Sequence, residues 1–243
     1  MAHIFEGGGT GMDKRPTIIA RMFDRIAPSY DLLNTILSFG MDKGWRKAVI
    51  RALSLSGSDR VLDIATGTGD MALLALSHMP CRVTGIDLSH QMLVRAAAKA
   101  ARGNHGDHYT VLQGNALHMP FAGATFSKAM VGFGIRNMDN IPGLFAEVQR
   151  ILKPAGRFAV LEFSVPEHIP FTWFYRLYMQ RILPFVGGIV SGDFPAYRYL
   201  RDSVLGFPPP AVLEGMLEEH GLRMVASHAL FFGIAHLYLA QKA

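Results

Sequence analysis

The sequence predicts an α/β fold: a mostly parallel, Rossmann-like seven-stranded sheet that ends in an antiparallel hairpin, with a helical cap at its N-terminal side. Three observations carry this. Val61–Asp70 reads V-L-D-I-A-T-G-T-G-D, the pattern of a buried strand, a tight glycine turn and a helix start. From Arg60 onward strand-like and helix-like stretches alternate, which favours a parallel sheet with helices on both faces. The last two strand-like stretches, near Arg223–Leu230 and Ile234–Leu239, are too close in sequence for a crossover helix, so they must pair antiparallel.

In order, residues 1–15 read as a flexible glycine-rich tail and 16–243 as one domain. Residues 16–55 form the cap: Thr17, Ile18, Ile19, Met22, Phe23 and Ile26 recur at helical spacing, Pro28 breaks the pattern, and Gly40 and Gly44 punctuate the rest of it. Strands are expected near Arg60–Ile64, Arg82–Ile86, Tyr109–Gln113, Phe126–Gly132 and Arg157–Phe163. Helices are expected near Asp70–Ser77, Ser89–Ala101, Ile141–Leu152 and Pro210–Glu219, the third stopped by Lys153, Pro154 and Gly156. Residues 165–207 are an insertion of another character. Between 171 and 207 lie ten of the chain's aromatic residues, Tyr175, Tyr197 and Tyr199 among them, interleaved with Arg176, Arg181, Arg198 and Arg201. This composition suits a packed lid, the wall of a large apolar pocket, or an interfacial helix.

Bulk properties bound the partners. The net charge of +5 is spread out, which argues against nucleic-acid binding and leaves room for attraction to an anionic membrane surface. The lone cysteine, Cys81, excludes an internal disulfide and points to a reducing compartment. No signal peptide or bilayer-spanning stretch is expected, and the scattered histidines lack metal-ligand spacing, so no metal is expected. The location expected is cytoplasmic, with peripheral contact at the inner face of the membrane; a homodimer is a candidate assembly.

Gly67-x-Gly69-x-x-Ala72 with Asp87 at the end of the second strand fits the dinucleotide fingerprint, so the loop alone leaves a dehydrogenase and a methyltransferase open. Asp63 tilts the choice. A carboxylate on the strand before the turn would repel a pyrophosphate but suits a cationic ligand, and S-adenosylmethionine carries a sulfonium and an ammonium; Asp63 and Asp70 fit it better. Further on, Asp87 and Leu88 precede a Ser89 N-cap, and Asn115 and Ala116 come after the third strand, where an adenine would lie. Gly132 and Phe133 end the fourth strand beside the reacting methyl group.

These motifs, with F-G-I-R-N at Phe133–Asn137, L-H-M-P-F, R-I-L-K-P-A-G-R-F-A-V-L-E-F-S, A-Y-R-Y-L and M-F-D-R-I-A-P-S-Y-D-L-L-N, resemble the ubiquinone/menaquinone biosynthesis C-methyltransferases of the UbiE type over roughly residues 20–240. Asn115 stands where that family often has Asp, and the tail reads G-I-A-H-L-Y-L-A rather than G-V-V-A-x-H. The resemblance implies a class I S-adenosylmethionine-dependent methyltransferase acting on a ring carbon of a polyprenylated quinol. It implies cofactor contacts at Asp63, Gly67, Thr68, Gly69, Asp70, Asp87, Leu88, Asn115, Ala116, Gly132 and Tyr30. Arg136 and Asn137 are the implied catalytic residues, and Phe133, Tyr175, Tyr197 and Tyr199 the implied substrate contacts. Arg136, a permanent cation, suits a phenolate stabiliser. His118, His168, His228 and His236 are the candidate bases. Other small-molecule methyltransferases, an NAD-dependent reductase and a non-catalytic adenosylmethionine-binding partner are the alternatives.

Overall fold

The computed structural model describes residues 13–166 and 171–243, so part of the N-terminal tail and His168 lie outside it. Seven strands form one sheet in the order β3-β2-β1-β4-β5-β7-β6. They are β1 (Arg60–Ile64), β2 (Arg82–Asp87), β3 (Tyr109–Gln113), β4 (Phe126–Gly132), β5 (Leu152–Phe163), β6 (Leu222–Leu230) and β7 (Ala235–Lys242). Strands β1 to β5 run parallel, and β7 lies antiparallel between β5 and β6, as the short spacing of the last two requires. The strand order reverses between β1 and β4. In open α/β sheets the crevice at the carboxyl ends of two such strands is where ligands bind.

The cap consists of α1 (Pro16–Ile26), α2 (Tyr30–Leu37) and α3 (Asp42–Leu53). Then come α4 (Asp70–His78), α5 (His90–Arg102) and α6 (Ile141–Ile151). The insertion folds as α7 (Phe171–Leu177), a π turn (Tyr178–Ile182), α8 (Leu183–Ser191) and α9 (Phe194–Leu205), and α10 (Pro210–Glu219) precedes the hairpin. Ser89 caps α5, accepting from the Met92 N–H at 3.2 Å.

Successive β1 residues alternate between the sheet's faces. Val61 packs with Met71, Ala75, Ala96 and Met130 on one side, and Leu62 and Ile64 with Phe126, Phe145 and Phe158 on the other. The buried residues of a third core come from no strand: Ile19, Met22 and Leu33 of the cap close on Tyr175, Met179, Leu183 and Tyr197 of the insertion, and Phe163 at the end of β5 packs against them. Cap and insertion therefore make one lid across the carboxyl end of the sheet. The Lys153–Gly156 stop differs in detail from its sequence reading. It is a bulge within β5, where Ala155 takes the positive φ (59°). A Cβ on Gly156 would lie 2.8 Å from the Lys153 carbonyl, so close approach is what requires glycine there.

Candidate active site

Beyond β1 the chain turns through Ala65, Gly67 and Gly69, at φ 51°, 57° and 83°, into the N-terminus of α4. The Gly67 and Ser89 N–H groups donate to opposite oxygens of Asp87, both at 2.8 Å. Burial pushes the Asp87 carboxyl up, against the pull of those donors. The turn and the β2 end are thus fastened through the side chain expected to meet a ribose.

A cavity opens beside this turn. Its lining includes Gly67, Asp87, Leu88, Asn115, Ala116, Gly132 and Tyr30, seven of the eleven residues expected to hold the cofactor. Asp63, Thr68, Gly69 and Asp70 are not in it. Asp63 is buried behind the turn, where its carboxylate accepts from Thr66 Oγ1 (2.6 Å) and from the Ala72 N–H, and burial raises its pKa to about 7. Expected to meet a cationic ligand, Asp63 here braces the turn from within. Thr68 and Asp70 serve a latch. Lys99 on α5 pairs with Asp70 (2.6 Å) and Asp31 (2.5 Å) and donates to Thr68 Oγ1 (2.9 Å), and the Thr68 hydroxyl donates to Asp31 (2.6 Å). Arg46 joins Asp42 to Asp70 on the other side. The cap is thereby ion-paired to the turn. Sequence reasoning missed Lys14 and Phe23 in the lining; the helical periodicity of α1 placed Phe23 on the packed face without saying what it faces.

A second cavity, larger and mostly apolar, lies under the lid. Phe23, Tyr30, Phe133 and Asn137 line both cavities, so the two share a wall. Phe133 holds a positive φ (58°), rare for a bulky residue, and its ring lies 4.4 Å from Phe163. A Cβ on Gly134 would stand 2.6 Å from that of Ala65, so the F-G step is pressed against the glycine turn. Arg136, Asn137, Tyr175, Tyr197 and Tyr199 all line this cavity. Arg136 is 5 % exposed. Its Nη1 donates to Glu162 Oε1 (2.7 Å) and the Phe133 carbonyl (2.5 Å), and its backbone N–H to Glu162 Oε2 (3.2 Å).

Glu162, which holds Arg136, was missed in sequence; a single acid inside the apolar run V-L-E-F was the available signal. Among the described residues four buried polar side-chain atoms have no partner: Arg136 Nε, Asn137 Oδ1, Tyr175 OH and Tyr199 OH. All belong to the lining of this one cavity. Of the candidate bases, His118 and His228 are exposed elsewhere and His236 hydrogen-bonds Ser227 on the terminal hairpin (2.7 Å), so none of these three borders either cavity.

Comparison with known proteins agrees with this architecture. The chain is 46% identical over 229 residues to the ubiquinone/menaquinone biosynthesis C-methyltransferase UbiE of Syntrophotalea carbinolica, covering 94% of this chain and 93% of that one. It is 41% identical to the demethylmenaquinone methyltransferase of Thermus thermophilus, covering 91% and 100%. The crystal structure of a SAM-dependent methyltransferase from Aquifex aeolicus shares the fold, with a TM-score of 0.59, 18% identity, and 94% and 99% of the two chains covered. With the family model matching residues 11–242, the chain belongs to the ubiE/COQ5 methyltransferase family.

Proposed function

We propose that this chain transfers a methyl group from S-adenosylmethionine to a ring carbon of a polyprenylated quinol, a naphthoquinol or a benzoquinol. The observation that carries the reading is the set of four unpartnered polar atoms in a mostly apolar cavity that shares a wall with the cofactor cavity. Buried polar atoms cost stability unless a ligand satisfies them. Ring oxygens and a long isoprenoid tail match four polar atoms set in a large apolar volume.

The smaller cavity fits the cofactor. Each Asp87 oxygen accepts one N–H and keeps a lone pair for a ribose hydroxyl, and the Asn115 amide, whose Oδ1 accepts from the Leu117 N–H (2.9 Å), keeps its NH₂ for the adenine. When bound, S-adenosylmethionine supplies an electrophilic methyl group. The chain's task is therefore to make the ring carbon nucleophilic and to aim it. Arg136, fixed by Glu162, stabilises the phenolate that forms on the ring oxygen. Asn137, Tyr175 and Tyr199 orient the ring oxygens. Asp42, hydrogen-bonded by Ser38 (2.8 Å) and paired with Arg46, is the carboxylate in the cavity lining and the candidate proton acceptor. Phe133 keeps water from the shared wall. A substrate of this kind resides in a bilayer, so the enzyme works cytoplasmically at the inner membrane face; no helix among the described residues is long and apolar enough to cross it.

The test is methyl transfer from S-adenosylmethionine to a short-tailed reduced quinol. Arg136→Ala is expected to bind S-adenosylmethionine with little change, since Arg136 lines the larger cavity and not the smaller one, while turnover collapses. Unchanged turnover removes Arg136 from its role, and absence of methyl transfer by the unaltered enzyme to any quinol overturns the reading.

A further inference from the structure

α7, the π turn and α8 form one continuous helical run from 171 to 191. Its inner side, Tyr175, Met179 and Leu183, is buried in the lid core. Its outer side is apolar too. Trp173, Leu177, Phe185 and Ile189, spaced by four or eight residues, are all exposed, Trp173 by 61% and Phe185 by 62%. A helix on a water-facing surface carries mostly polar residues there; among the described side chains of this one, Gln180 and Arg181 are the exposed polar ones beside these four apolar ones. The gap in the spacing is filled by exposed Arg181, and residues 171–192 include no Asp or Glu.

Two turns extend the patch. Phe39, just after α2, is 78% exposed at φ 52°; Phe231 and Phe232, between β6 and β7, hold φ 43° and 55°, with Phe232 68% exposed. Bulky residues rarely occupy this backbone region, and strain of this sort concentrates at functional positions. Phe39 lies 6.4 Å from the Tyr178 ring, and the Tyr178 hydroxyl donates to the Leu37 carbonyl (2.8 Å), so the Phe39 turn is fastened to the helical run. Phe39 and Phe231 also line the larger cavity. The rim of that cavity and the exposed patch are therefore one surface.

We propose that this surface docks on an anionic lipid bilayer and that the apolar tail of the substrate enters the cavity across it. This rests on the quinol reading above. Arginine among exposed aromatic and aliphatic residues, with no acid beside it, complements anionic headgroups over an apolar layer. A second copy of the chain fits less well. The helical run offers no acid to meet Arg181 of a copy, and a copy seated on this face would cover the cavity rim.

The experiment is co-sedimentation of the full chain with phosphatidylcholine vesicles with and without phosphatidylglycerol, across salt concentrations. The unaltered protein is expected to partition onto the anionic vesicles, less so at high salt. Trp173→Glu with Phe185→Glu is expected to weaken that partition about tenfold or more, with turnover on a short-tailed quinol in vesicle-free solution unchanged. Arg181→Glu, a change of charge alone, is expected to abolish the preference for anionic vesicles. Failure of the unaltered protein to partition, or equal partition by the double variant, overturns the proposal. So does a double variant that converts a dimer to a monomer and still partitions, which gives the face to a second copy. Failure of the quinol reading appears separately, as no turnover on the short-tailed substrate by the unaltered enzyme.

Discussion

Glu162→Gln tests how Arg136 is held. The carboxylate is fully buried and accepts three hydrogen bonds: Arg136 Nη1 (2.7 Å) and the Phe163 N–H (2.9 Å) on Oε1, and the Arg136 N–H (3.2 Å) on Oε2. Glutamine has the same shape. Its carbonyl serves the first two donors, but its NH₂ then meets the Arg136 N–H, donor against donor, and the guanidinium loses its counter-charge. Removing one partner of a buried ion pair costs about 3–5 kcal/mol, and the retained acceptor puts this variant near about 3 kcal/mol. For a chain of this length that lowers the melting temperature by roughly 6–12 °C. Arg136 displaced within its cavity is expected to reduce kcat by roughly 10- to 100-fold. S-adenosylmethionine affinity, read by isothermal titration, is expected to stay put, since neither residue lines the smaller cavity. Adding Arg136→Met removes the stranded cation, so the double variant is expected to be less destabilised than the sum of the singles. A Glu162→Gln protein melting within a degree of the unaltered one, or strictly additive losses, refutes this account.

The same geometry carries three more expected outcomes. Asp63 has its pKa raised from 3.8 to about 7 in the folded state, so folding favours its protonated form; stability present at pH 4 is lost as pH rises toward 7, by up to about 4 kcal/mol for this group. Asp63→Asn is expected to flatten that slope in urea titrations at several pH values, and an unchanged slope would reject the assignment. Tyr199→Phe removes a buried hydroxyl with no partner, so the ligand-free protein is expected to gain about 1 kcal/mol while KM for the quinol rises; a loss of stability would mean that the hydroxyl is satisfied. Lys99→Met leaves Asp31 and Asp70 without their shared cation and loosens the cap. Affinity for S-adenosylmethionine is expected to fall about fivefold, worth about 1 kcal/mol, and the unaltered protein to lose the same increment at high salt.

What could be read in the sequence was local. The strand, turn and helix of Val61–Asp70 come from apolar runs and from glycines placed where φ must be positive, and the hairpin comes from a spacing too short for a helix. The crowding of aromatics after residue 171 suited a packed lid, a pocket wall or an interfacial helix alike; Tyr175, Tyr197 and Tyr199 both pack in the lid and line a cavity. What escaped depends on pairing across distance. Asp63 was weighed against a cationic ligand, but a charge on a central strand also answers to burial and to the donors of its own turn, and those claim it. Glu162 gains meaning only because β4 and β5 are neighbours, which brings it to Arg136, 26 residues earlier. The latch of Asp31, Thr68, Asp70 and Lys99 joins three stretches of chain, and no local pattern announces it.

The wall common to the two cavities has a thermodynamic consequence. Phe23, Tyr30, Phe133 and Asn137 border the space of either ligand, so a ligand that orders them is expected to spare the other that cost. Any coupling that results is reciprocal: the factor by which the cofactor raises the affinity for the quinol is the factor by which the quinol raises that for the cofactor.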